Sequence, residues 1–203
     1  MSLPTFPLAV RPRHLSGSGI SKKIRRAGLL PAIMYGAGTT ATPIAVDPRQ
    51  LRKGLTSAYG RNQLFQLEVQ GGGSFLAIAK EVQLASLTRQ LEHVDLLLVQ
   101  PDTQMIVTLP VILSGRSAGQ KAGGRLEFIT RHVKVSCTPA TLPKSIEIDV
   151  TPFENGYVMF AEGLPLPEGV VPVFKKTFKI LELYAAKVDE TAAATAAPAG
   201  KKK

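Results

Sequence analysis

Apolar and polar positions alternate with a period of two along most of the chain, and only two short stretches follow the helical period instead. The clearest alternation runs Phe65, Leu67, Val69 against Gln66, Glu68, Gln70. There Gly71-Gly72-Gly73-Ser74 turns the chain into Phe75–Leu84, where Leu76 and Ile78 belong to a partner strand, so the pair reads as a hairpin. Before it, the pattern predicts strands at Phe6–Val10, Ala32–Tyr35 and Pro43–Val46; after it, an apolar strand at Val94–Val99. Helix signals occur twice. Ser21 is placed to cap a short helix over Lys22–Ala27 that stops at Gly28, with Ser16-Gly17-Ser18-Gly19 read as a loop before it. Asp47-Pro48 supplies a cap and a first-turn proline for a second helix that stacks Leu51 on Leu55.

Pro101-Asp102 is a turn, and beyond it the pattern is one of short strands punctuated by prolines: Met105–Leu113, Arg125–Ile129, Val133–Cys137, Ser145–Val150, then Tyr157–Phe160 and Phe174–Tyr184. Only Thr151–Asn155 reads as a possible helical turn in that half. Strands without intervening helices exclude a βαβ layout. The expected fold is therefore mainly β with a few short helices, an N-terminal small β-barrel followed by a C-terminal all-β domain. The borders fall at 1–99, 100–186 and a disordered Ala/Thr/Pro/Gly/Lys tail at 187–203, where Lys201–Lys203 is a solvated end.

Charge changes this picture. The 203 residues carry 25 Lys+Arg against 15 Asp+Glu, a formal +10. Met1–Leu67 holds ten of the bases and a single acid, Asp47, while Val99–Ala185 is close to neutral. Such an imbalance points to nucleic acid or an anionic membrane surface. No run approaches the roughly 18 apolar residues of a membrane helix. Met1–Val10 is interrupted by Pro4 and Pro7 and lacks the core of a secretory signal. A transit peptide shares the acid-free, Arg-containing composition, but the Gly/Ser punctuation and the apolar run Pro31–Gly36 argue against one. A lone Cys137 excludes an intramolecular disulfide or a Cys-rich zinc module and fits a reducing compartment.

Few motifs carry chemistry. Gly115-Arg116-Ser117-Ala118-Gly119 matches the nucleophile-elbow pattern of a serine hydrolase, but Gly-rich sequence follows instead of a helix. The downstream His132 also precedes Asp149, the wrong order for that arrangement, so no catalytic residue is assigned. The same loop is no P-loop, Gly17-x-Gly19 is too short for a dinucleotide turn, and His14, His93 and His132 lack ligand spacing, so no metal or cofactor is expected. On a strand, His93 and Asp95 would share one face, away from Val94 and Leu96. What remains is the basic patch of Arg11, Arg13, Lys22, Lys23, Arg25 and Arg26 with Tyr35 nearby, suited to phosphate neutralisation with counterion release.

Several of these residues also occur in a familiar order: Val10-Arg11, Gly17-x-Gly19-x-Ser21-Lys22-Lys23-x-Arg25, Gly28-x-x-Pro31-Ala32-x-x-Tyr35-Gly36 and Leu91-x-His93-Val94-Asp95. Together with Ala122-Gly123-Gly124, Ile146-x-Ile148-Asp149-Val150 and Leu166-Pro167-Glu168-Gly169-Val170, this order resembles the bacterial large-subunit ribosomal protein L twenty-five family, in its long, two-domain Ctc or general-stress form. The resemblance implies a non-catalytic, cytoplasmic, ribosome-bound protein whose N-terminal barrel binds 5S rRNA around loop E. Its other partners would be neighbouring large-subunit rRNA and ribosomal proteins, with no membrane and no small-molecule substrate. By resemblance the RNA contacts fall on Arg11, Ser21, Lys22, Lys23, Arg25, Tyr35, Lys80, His93 and Asp95. Phosphate contacts suit Lys and Arg, whereas Ser21, Tyr35, His93 and Asp95 suit 2′-hydroxyls and base edges. Ser18 stands where Lys is common in the family and Lys80 where Gln is frequent, and the C-terminus is basic rather than acidic. The alternatives are a freestanding RNA-binding, stress-associated module and a hydrolase using Ser117.

Overall fold

The computed structural model describes residues 5–13, 17–36, 38–174 and 176–185, and the tail expected at 187–203 lies outside them. Its first half runs β1 (Thr5–Pro12), α1 (Ser18–Arg26), β2 (Leu30–Gly36), β3 (Thr39–Val46), α2 (Pro48–Leu55), β4 (Leu64–Val69), β5 (Ser74–Leu84) and β6 (Leu91–Leu98). These six strands close a barrel in the order β1-β3-β2-β6-β5-β4. Two of the pairings are parallel: β1 runs beside β4, from Thr5↔Leu64 to Val10↔Val69, and β2 beside β6. Alternation puts Leu8, Val10, Ala32, Met34, Ile44, Val46, Leu67, Val94, Leu96 and Leu98 into one buried core, with Leu51 of α2 joining them from outside the strands.

The second half continues with β7 (Met105–Ser114), α3 (Ala118–Lys121), β8 (Arg125–Phe128), β9 (His132–Cys137), β10 (Ile146–Asp149), β11 (Val158–Phe160), β12 (Val171–Pro172) and β13 (Lys179–Tyr184). One sheet has the order β10-β7-β9-β12 and the other β11-β13-β8. Val107, Leu109, Val111, Val133, Val135, Ile146 and Ile148 from the first meet Ile180, Leu181, Leu183 and Met159 from the second in a single core. Cys137 is buried there, and desolvation raises its pKa, which keeps it a thiol. This is the mainly β, barrel-plus-β-domain architecture that the alternation predicts.

Three local details differ from the sequence pattern. The first helix begins at Ser18, with Gly17 rather than Ser21 at its N-cap, so the expected Gly/Ser loop is partly helical. Ser21 sits inside the helix, and its Oγ donates to the Gly17 carbonyl at 3.0 Å, a bond to the preceding turn that Ser makes when it is not a cap. The earlier start adds Ile20 to Ile24 as an i,i+4 pair of half-buried anchors. Thr151–Asn155 forms turns; the α-helical turn of the second half is α3 instead, with short 3-10 turns at Pro139–Thr141 and Ala161–Gly163. There the Ser117 Oγ accepts from the Gln120 amide and the Gln120 side chain returns to the Ser117 amide, a capping box. The strand expected from Phe174 is present only from Lys179, and β12 pairs with β9 where no strand was expected.

The two halves are not packed separately. Leu64 and Ile78 are cross-strand partners on the barrel wall, yet both belong to the second core, and half-buried Leu76 and Leu97 pack against that core as well. Asn62 Nδ2 donates to the Thr108 carbonyl at 2.8 Å and Lys80 Nζ to the Ile106 carbonyl at 3.1 Å across the same joint.

Within the barrel, Gly54 of α2 is buried where a Cβ would meet the ring of fully buried Phe65 inside contact distance. Gly54→Ala gains up to about 1 kcal/mol of helix propensity but forces a shift in the core costing typically about 1–3 kcal/mol. A net loss of stability in urea denaturation, with an unchanged m-value, is the expected result.

Candidate nucleic-acid interface

The site begins with a helix that folds against its own electrostatics. Lys22, Lys23, Arg25 and Arg26 of α1 are all exposed, no acid lies in its first turn, and none of its residues is fully buried. Like charges at i,i+3 and i,i+4 oppose one another, although Lys23, Arg25 and Arg26 in the last turn are favoured by the helix dipole. The C-terminus is closed by Gly28 at φ 79°, whose amide donates to Arg25 O while Leu29 donates to Ile24 O, the paired bonds of a Schellman end. Arg25 reaches across to β6, where its Nη1 donates to the Glu92 carbonyl at 3.1 Å.

Beside that anchor, the outward residues of the barrel line up in rows across the strands. Asp95 of β6 is opposite Ile33 of β2 on one side and Glu81 of β5 on the other; Ile33 in turn faces Pro43 of β3, whose carbonyl accepts from the Arg13 amide. In the adjacent row His93 is opposite Gln83, and Arg11 is opposite Ala45, which also faces Pro31. Each row thus starts at a cation, Arg11 on β1 or Arg13 just after it, passes over small or apolar residues, and ends in acceptor-bearing side chains on β6 and β5.

Within the polar end, His93 Nδ1 lies 2.8 Å from Asp95 Oδ1, which orients the imidazole and leaves Nε2 for a ligand. Gln83 Nε2 donates to Glu81 Oε1 at 3.1 Å. The Tyr35 pKa is raised by burial first and then by the charges of Asp95 and Glu81, so its hydroxyl remains a protonated donor through the neutral range.

The structure therefore gathers Tyr35, His93 and Asp95 on one barrel face, joins Arg25 to it through Glu92, and places Arg11 and Arg13 at its far edge. The guanidinium Nε and Nη1 of Arg13 are buried without a hydrogen-bond partner among the described residues. Lys80 stands apart. A β-bulge, in which Ala79 pairs with Leu96 and Glu81 with Asp95, leaves Lys80 as the extra residue, and its ammonium is held by the Ile106 carbonyl at the joint with the second domain.

Two features escaped sequence reasoning. Glu81 belongs to the face because the bulge turns it outward beside Asp95, and a bulge has no signature in an apolar/polar pattern. A cleft between α1 and α2, lined by Arg25, Arg49 and Arg52 with Gln90, carries the cationic surface onto the second helix. Arg49 and Arg52 lie on α2 and Arg25 on α1, and their nearness follows from the barrel.

Ser117 has no such surroundings. It is fully buried, and its hydroxyl is engaged as the α3 cap. Among the described residues, no three His, Cys, Asp or Glu side chains come together as metal ligands would, and no helix is long and apolar enough to cross a membrane.

A closed barrel with an acid-free cationic helix, an acceptor-rich strand face and a second β domain defines a nucleic-acid-facing, two-domain β protein. The comparisons with known proteins agree with that class. The Ribosomal L25p family model matches residues 8–96, and the model for the Ribosomal protein TL5, C-terminal domain, matches residues 104–187. Proteins named large ribosomal subunit protein bL25 are similar: that of Syntrophotalea carbinolica is 36% identical over 80% of this chain and 79% of its own length. That of Pelobacter propionicus is 35% identical over 92% of this chain and 95% of its own. The chain belongs to the ribosomal L25p family, in the long form that carries both domains.

Removing the α3 cap tests the structural assignment of Ser117. Ser117→Ala should lower unfolding stability by about 0.5–2 kcal/mol, read as a shift of the denaturation midpoint. A fluorophosphonate probe should leave the parent protein unlabelled at Ser117.

Proposed function

We propose that this protein is a non-catalytic structural component of the bacterial large ribosomal subunit, cytoplasmic and ribosome-bound, that binds 5S rRNA in its loop E region through the N-terminal barrel. The observation that carries this reading is the adjacency of two chemistries: the α1 cations, and the outward Tyr35–His93–Asp95–Glu81 face to which Arg25 is joined. A phosphate backbone is neutralised by the first, sequence-independently and with strong salt dependence. An irregular RNA helix, whose minor groove presents 2′-hydroxyls and base edges, matches the second, because Asp95 and Glu81 accept while Tyr35 donates. A cationic face alone would bind any duplex. Paired carboxylates within it repel phosphate and so favour a groove that offers donors.

In this reading Arg11, Arg13, Ser21, Lys22, Lys23, Arg25 and Arg26 position the RNA and Tyr35, His93 and Asp95 read it, with Lys80 contributing from the edge. The RNA-binding unit ends at 99, and the following domain meets neighbouring rRNA or protein. Both domains match family models, and the relatives' name, large ribosomal subunit protein, supports residence on that subunit.

The test is a salt titration of the full chain against 5S rRNA and a plain RNA duplex of equal length, with co-sedimentation of the chain with large subunits at physiological salt. Clear preference for 5S rRNA and co-sedimentation are expected; parallel loss of both RNAs with salt would leave only a generic basic patch. Lys22→Ala should weaken both RNAs alike and make the salt dependence shallower by about one unit of slope. Asp95→Ala should cost about 1–3 kcal/mol on 5S rRNA and little on the duplex. Equal losses on the two RNAs would remove Asp95 from the specificity role.

A further inference from the structure

Where the two domains meet, an open cleft of about 610 Å³ is lined by cations from both sides. The barrel contributes Arg61, from the turn before β4, and Lys80, from the bulge in β5; the second domain contributes Lys134 of β9 and Lys144 of the segment before β10, with His132 beside them. No Asp or Glu is among the described residues lining it, and none of these cations is in an ion pair among the described residues. The second domain is near neutral overall, with nine bases and eight acids over Val99–Ala185. Lys134 and Lys144 meeting there without an acid is therefore a segregation of charge rather than a consequence of composition.

The walls are held in place. Asn62 is buried and donates to Thr108 O, Lys80 donates to Ile106 O, and Leu64 with Ile78 is packed in the second core. Lys134 is the cross-strand partner of Thr108, so the strand that receives the Asn62 bond also sets the position of one cation. Lys144 Nζ lies 5.6 Å from the centroid of the Tyr59 ring, which lines the cleft on the barrel side from the segment after α2.

We propose that this interdomain cleft binds an extended RNA strand, its phosphates neutralised by Arg61, Lys80, Lys134 and Lys144 and a base stacked on Tyr59. A small anion would engage one or two of these groups. Cations spread over two walls match a ligand with repeated negative charge, and a cationic groove with an aromatic platform is how proteins hold single-stranded nucleic acid. RNA is chosen over an acidic peptide because Lys80 is next to Glu81, which joins the cleft to the face proposed above to bind RNA. In that choice the inference rests on the proposed function, whereas the cleft itself does not.

The test uses the full chain and a fluorescent oligouridine of about twelve nucleotides, within the span a single-strand groove covers. Lys134→Glu with Lys144→Glu should lower oligouridine affinity at least about tenfold, and loss of two phosphate contacts should make the salt dependence shallower by about 1.4. Lys134→Gln with Lys144→Gln should show a smaller loss in the same direction and serves if the charge reversal unfolds the domain. The Lys→Arg pair should bind as the parent does. Oligouridine should also bind a preformed complex of the chain with 5S rRNA, and Lys22→Glu with Arg25→Glu should leave oligouridine binding within about threefold while abolishing that complex. The proposal is overturned if the folded cleft variants bind oligouridine like the parent, if 5S rRNA displaces oligouridine stoichiometrically, or if polyglutamate at equal charge concentration displaces it. Failure of the chain to prefer 5S rRNA would overturn the proposed function and leave the oligouridine result standing.

Discussion

Closure of the six-stranded barrel is the constraint on which the rest depends. Its seam is the parallel ladder from Thr5↔Leu64 to Val10↔Val69, joining the first strand to one nearly sixty positions later. Parallel neighbours cannot be linked by a tight turn. The connection between them therefore runs through α1, β2, β3 and α2, and contacts of such separation cost loop-closure entropy. Once formed, the seam allows no slip: a shift of one residue would turn Leu8 and Val10 out and Ala9 and Arg11 in. The outward register of Arg11, and through β3 and β2 that of Tyr35 and Asp95, is thus set by apolar burial on the other side of the same strands.

That burial also accounts for how a cationic helix is tolerated. α1 has Ile20 and Ile24 as half-buried anchors and four exposed cations, and a helix of nine residues is marginal alone in water. It is held between β1 and β2 by the barrel, by the Gly28 end and by Arg25 on Glu92. The scaffold can therefore carry an arrangement of charge that its local sequence disfavours.

The joint between domains follows from the same alternation. On β4 and β5 the outward positions Leu64 and Ile78 are as apolar as the inward ones, so the barrel wall there requires a cover, and the second domain supplies it. Polar bonds from Asn62 and Lys80 surround that contact. The two halves are therefore coupled through a shared core as well as by the connecting chain.

Much was legible before any tertiary contact was known. Period-two alternation marks nearly every strand, Asp47-Pro48 marks α2, and the imbalance of ten bases to one acid over Met1–Leu67 marks the charged half. These signals are local, and each is written within a few neighbouring residues. The start of α1 was missed because Gly17 caps without a side chain, and α3 because a four-residue helix leaves no periodicity to read. Other features depended on distant segments meeting. The parallel seam, the bulge that turns Glu81 outward and Lys80 aside, and the convergence of Arg61 and Lys80 with Lys134 and Lys144 are decided by strand register and packing. By itself the sequence determined which residues prefer strand, helix, core or water, because those preferences are properties of short segments. Which polar residues became neighbours was left to the tertiary structure, since only closure and burial bring positions tens of residues apart within reach of one ligand.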